Sequence, residues 1–122
     1  MTETARPFNV FAADCPSREA LAHVTGRWGT LVLAALTGGP LRFGALRRAV
    51  DGISERMLAQ TLQALERDGL VNRDVQAVLP ARVEYSLTPL GESVAGPIRA
   101  LIESVHAAAP AIIAHRAATG GA

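Results

Sequence analysis

A mainly α fold with one small β-hairpin (α+β) is predicted for this 122-residue chain by three observations. Between Gly39 and Gly91 a short basic helix, a turn, a serine-capped second helix and two alternating segments around a proline follow in that order. Helical apolar stripes flank this block on both sides. The second helix of the block has a leucine side and an opposite side centred on arginine and glutamine. Together these give the layout of a winged helix-turn-helix, the hairpin being the wing.

Each element has its own signal. Residues 1–14 lack a period and read as an N-terminal arm. Pro16-Ser17 opens a helix, with Ser17 as the cap and Glu19 near the positive end of the dipole; it stops at Gly26. A helix over residues 28–37 carries Trp28, Leu31, Val32, Ala35 and Leu36 on one stripe and ends at Gly38-Gly39-Pro40. Residues 43–50 form a short helix with Phe43, Leu46 and Val50 inward, and Asp51-Gly52 makes the turn. Ser54 caps the next helix, which ends at Asp68-Gly69. Residues 71–75 and 82–87 alternate as two strands with Leu79-Pro80 near the tip. Thr88-Pro89 starts the final helix, whose stripe runs through Val94, Ile98, Leu101, Ile102, Val105, Ala109 and Ile112. Pro97 and Pro110 lie inside it and predict kinks or a break; residues 117–122 should fray. The winged domain, including its N-terminal helix, spans residues 15–90, and residues 91–122 are the C-terminal helix and tail.

Composition narrows the function classes. The length suits one domain with a modest core. No apolar run approaches the roughly 20 residues of a membrane span, no secretory leader pattern is present, and a single cysteine suits a reducing compartment, so the chain is expected in the cytoplasm, away from the membrane. All 12 basic residues are arginine and the net charge is only +1, far from that of a non-specific nucleic-acid binder. Residues 42–82 hold seven arginines against five acids. No Ser-His-Asp order, carboxylate pair or phosphate loop points to an enzyme. His23, His106 and His115 are widely spaced, so neither a metal nor a cofactor is expected.

On a helical wheel of residues 54–68, Leu58, Leu62 and Leu65 share one face, flanked by Met57 and Thr61. Opposite stand Arg56, Gln60, Gln63 and Arg67, with Glu55 and Glu66 at the flank. Arginine can take guanine O6 and N7, and glutamine adenine N6 and N7. Either can also hold a phosphate. The first half of a recognition helix goes deepest into the groove, so Arg56 and Gln60 are the base-reading candidates, with Gln63 at the margin. Ser54 could touch a phosphate besides capping. Arg42, Arg47 and Arg48 stand where the preceding helix would cross the backbone of double-stranded DNA, and Arg73 and Arg82 lie on the wing. An Arg82–Glu84 pair competes with a DNA role for Arg82. A winged-helix protein–protein module without DNA binding is the alternative; an apolar patch in place of Arg56 and Gln60 would mark it.

With these residues in place, the chain resembles the HxlR-type family of bacterial winged-helix transcription regulators from Cys15 to about Gly91. The matching pieces include Cys15-Pro16, Gly26-Arg27-Trp28, Gly39-Pro40-Leu41-Arg42-Phe43, Ile53-Ser54, Arg56-Met57-Leu58, Asp68-Gly69-Leu70-Val71, Arg82-Val83-Glu84-Tyr85-Ser86-Leu87-Thr88 and Leu90-Gly91. The resemblance implies a homodimer, joined through terminal dimerisation helices, that binds a two-fold symmetric operator as a repressor or activator. Two departures stand out. Gly29 follows Trp28 where the family often has threonine, and the segment 102–106 lacks the aromatic usual near the middle of the last helix.

The resemblance also implies that a cysteine at the place of Cys15 can sense electrophiles or oxidants. A helix start beside it would favour the thiolate, Asp14 opposes it, and a buried structural cysteine is the competing reading. Without a second cysteine, sensing would need an intersubunit disulfide or a thiol adduct. A small-molecule effector is the other input, with Trp28, Phe43 and Tyr85 as candidate pocket residues that could equally be core.

Overall fold

The computed structural model describes residues 8–77 and 79–120. Among them the order is α1 (Pro16–Thr25), α2 (Gly29–Leu36), β1 (Leu41–Arg42), α3 (Phe43–Ala49), α4 (Glu55–Arg67), β2 (Val71–Ala77), β3 (Arg82–Leu87) and α5 (Pro89–Ala118). Helices α3 and α4, joined by the turn at Gly52 (φ +91°), are followed by the antiparallel β2–β3 hairpin, which is the winged helix-turn-helix arrangement. Residues 1–7 of the arm and 121–122 of the tail lie outside the described residues.

The core is aliphatic. Val32, Leu33 and Leu36 of α2, Leu46 of α3, Leu58, Leu62 and Leu65 of α4, Leu70, Val71 and Ile98 close on one another, with Tyr85 and Leu87 packed against them. Each buried leucine removes enough apolar surface to contribute about 1.5–3 kcal/mol. Because α4 surrenders all three leucines to this core, its remaining faces are held in fixed orientation.

Several elements differ from expectation. Strand β1 was not foreseen; it pairs with β3 (Leu41 opposite Tyr85, Arg42 opposite Glu84), giving the sheet order β1-β3-β2. In α2, Leu31 is 43% exposed and Leu33 is buried instead. The helix is apolar all round, so a wheel could not say which side faces in. Helix α1 is capped at Cys15 without a side-chain bond, and Ser17 lies inside it. Helix α5 runs unbroken for 30 residues across both prolines. Pro97 and Pro110 are exposed, as are Ser93 and His106, whose carbonyls lose their helical donors, so water can satisfy them. By length and composition alone the same helix is long and apolar enough to cross a membrane, although no unbroken apolar run of that size occurs in it.

Local chemistry fixes the joints. Ser54 Oγ accepts from Met57 N (3.0 Å) at the start of α4. At its end Gly69 adopts φ +78°, and Leu70 N donates to Leu65 O (2.9 Å), closing the last turn. Thr88 then ties α5 to this corner: its N donates to Leu70 O, its hydroxyl donates to Gly69 O (2.6 Å) and accepts from Gly91 N (2.9 Å).

Candidate nucleic-acid interface

The solvent face of α4 is the one the leucine pattern demands. Arg56, Gln60, Gln63 and Arg67 are all exposed. The apolar neighbour Met57 is 38% exposed, too little to turn the face into an apolar patch. With Ser54 engaged as the cap and Leu58 N donating to Ser54 O (2.9 Å), the first turn is rigid. Four side chains with only donors or amide groups, carried on a helix pinned by three buried leucines, make a surface able to hydrogen-bond base edges and phosphates.

Helix α3 lies along one flank. Arg47 Nη1 is 3.1 Å from Glu55 Oε2, so part of its charge is already spent on α4. Arg48 is exposed and free of such a partner among the described residues, and both arginines line a cleft with Asp51, Gly52 and Ser54. Arg42 caps α3 at the end of β1.

The wing divides its arginines. Arg73 stands opposite Tyr85, on the face of the hairpin that turns to the core, while Arg82 alternates with Glu84 and Ser86 on the other face. Both are exposed, but they do not form one patch. Glu84 accepts from Gln76 Nε2 (2.9 Å), not from Arg82, and Arg82 makes no ion pair among the described residues.

Cys15 is half-buried at the start of α1, its Sγ 3.1 Å from Ser17 Oγ. The Ser17 hydroxyl holds the thiol below its ordinary range; partial burial opposes this, and backbone hydrogen bonds at Ser17, Asn9 and Arg18 reinforce it. The Arg18 guanidinium donates to Phe11 O (3.4 Å).

Trp28, Phe43 and Tyr85 do not meet in one cavity. Phe43 and Tyr85 pack against the core, whereas Trp28 also borders an open cleft of about 710 Å³ with Arg27, Gly52, Ser54, Met57 and Gln60. A second cleft, about 420 Å³, lies between the end of α2 and α5 and is lined by Thr37, Ser86, Glu92 and Arg99 over Leu36 and Leu87. Sequence reasoning missed Arg27, whose guanidinium stacks on Trp28 at 4.7 Å from the ring centroid. It also missed the 2.6 Å bond between His23 Nδ1 and Asp68 Oδ2, which joins α1 to the end of α4. The motif Gly26-Arg27-Trp28 was a signal for the first; no local pattern signals a pair 45 residues apart.

This geometry has known counterparts. The HxlR-like helix-turn-helix family matches residues 23–112. The chain is 51% identical over 116 residues to the HTH-type transcriptional regulator YtfH of Escherichia coli (strain K12), covering 95% of this chain and 92% of that protein. Its fold is similar to that of the solved transcriptional regulator ytfH from Salmonella typhimurium, with a TM-score of 0.85, 54% identity and coverage of 90% of this chain and 98% of that one. It is also similar to the redox regulator HypR in its reduced form (TM-score 0.74, 30% identity, 81% of this chain and 98% of that one). These relatives are regulators, not enzymes. The chain belongs to the HxlR-like helix-turn-helix family of transcriptional regulators.

Proposed function

We propose that the chain acts in the cytoplasm as a homodimer that represses transcription by seating α4 of each protomer in the major groove of a two-fold symmetric operator. The observation that carries this reading is the exposed row Arg56, Gln60, Gln63 and Arg67, free of carboxylates, on a helix whose other face is locked in the core. Arg48, Arg42 and, on the outer face of the wing, Arg82 supply phosphate contacts. The same row argues against a purely protein-binding module, which would need apolar surface there.

After selection of an operator from a random duplex library, Arg56→Ala weakens it by about 1–3 kcal/mol and relaxes preference at one base pair. Arg48→Ala weakens all duplexes alike and flattens the dependence on salt. Arg47→Ala has a smaller effect, because Glu55 shares its charge. Anisotropy titrations on selected and mixed-sequence duplexes separate these outcomes; wild-type affinity in both Arg56→Ala and Arg48→Ala sinks the groove assignment.

The regulatory input proposed for this dimer is oxidation or alkylation of Cys15. Its lowered thiol raises the share of the reactive thiolate, and HypR, similar in fold, is a redox regulator. Cys15→Ser retains operator binding and loses its response to diamide in the same titration. An undiminished response removes Cys15 from the mechanism.

A further inference from the structure

The motif Gly26-Arg27-Trp28 has no part in the interface described above, yet the fold brings it to the edge of α4. The Trp28 ring reaches the α3–α4 turn: a side chain built on Gly52 would lie 4.0 Å from Trp28 Cη2. Arg27 Cζ lies over that ring, 4.7 Å from its centroid, and no acidic group pairs with it among the described residues. The cleft that both residues border continues to Ser54, Met57 and Gln60. A different cleft, walled by Arg47 and Arg48, meets the same Gly52 and Ser54 from the α3 side. The start of α4 therefore has an arginine wall on each flank.

We infer that Arg27, stacked on Trp28, is a DNA-backbone contact that clamps a phosphate on the flank of α4 opposite Arg47 and Arg48. The inference rests on the groove reading of α4 and adds a contact to it. A groove is bordered by two sugar-phosphate strands, so a helix lying in it needs cations on both sides to hold its register. On the α3 side Arg47 is partly neutralised by Glu55, whereas Arg27 keeps its full charge. Stacking on the indole restricts the guanidinium before DNA arrives, so less freedom is lost on binding. The contact carries no sequence information, and its loss affects all duplexes equally.

The test is anisotropy on a mixed-sequence duplex and on the selected operator between about 50 and 200 mM salt. Arg27→Ala lowers both affinities by about tenfold, the worth of one charge-assisted bond, and reduces the salt slope by about one. Arg27→Lys keeps the slope while losing part of the affinity, since lysine retains the charge but not the planar stack. Wild-type affinity and slope in Arg27→Ala, with losses in Arg48→Ala and Arg56→Ala, overturn the Arg27 contact and leave the groove reading intact. Loss in Arg27→Ala confined to the operator also overturns it. Should wild-type protein bind neither duplex at the low-salt end, the groove reading itself fails and this contact with it. Far-UV circular dichroism of the Arg27 variants verifies the fold; if Arg27→Ala is unfolded, Arg27→Gln, which keeps much of the side chain's length but not its charge, takes its place, and a wild-type affinity and slope in that variant overturn the contact.

Discussion

Gly91→Ala destabilises the protein by about 2 kcal/mol although it replaces a helical glycine with the best helix former. An added Cβ would run into the carbonyl oxygen of Leu70, and Leu87 Cδ2 stands 3.3 Å away. Neither side can yield easily. Leu70 O already accepts from Thr88 N (3.1 Å), and Gly91 N is bound to Thr88 Oγ1, so the collision falls between two anchored pieces of backbone. Overpacking of that kind costs about 3 kcal/mol, the upper end of the usual range, and the gain in helix propensity returns about 1 kcal/mol. For a domain of this size the net loss lowers Tm by roughly 8 °C. Gly44→Ala, inside α3, is the control: its added Cβ meets only the Arg48 guanidinium at 3.6 Å, an ordinary contact, and it stabilises by up to about 1 kcal/mol. Thermal melts of the two variants should move in opposite directions. Equal melting points would mean that α5 does not press on the end of α4 as closely as described.

The same corner explains what was and was not legible from the chain. Ser54, Gly69 and Thr88 announce themselves because a cap, a left-handed turn and a Thr-Pro start each follow from one or two neighbouring residues. The leucine side of α4 was legible because three residues at helical spacing need no knowledge of the partner surface. Strand β1 was not, since two residues have no period and become a strand only by pairing with β3. The continuity of α5 through Pro97 and Pro110 depends on those prolines facing solvent, which is a tertiary fact. The interface divides in the same way. Arg56 and Gln60 could be read off a wheel, but the opposite faces of Arg73 and Arg82, the pairing of Arg47 with Glu55 and the stacking of Arg27 depend on register and packing.

Leu101→Glu combined with Val105→Glu should convert the proposed dimer to monomer and lower operator affinity by about 10²–10⁴, while leaving the winged domain folded. Ile98, Val105 and Ile112 recur every seven residues on α5, with Leu101 or Ile102 and Ala108 or Ala109 between them, the spacing of a coiled-coil seam. Ile98 is spent inside the protomer, but beyond it the seam opens: Leu101 is 54% exposed, Val105 50% and Ile112 41%. A contiguous apolar strip of this kind calls for a partner surface, and a second α5 matches its length and period. Because Leu101 and Val105 contribute little to the protomer's own core, two carboxylates there cost the fold little but face two more across the seam. Binding then loses the advantage of two tethered reading heads, which a two-fold site with half-sites about 34 Å apart would otherwise provide. Sedimentation equilibrium and operator titrations on the double variant check the two consequences together. A variant that stays dimeric moves the seam elsewhere, and a monomer that binds the operator as tightly as wild type means that each half-site is read independently.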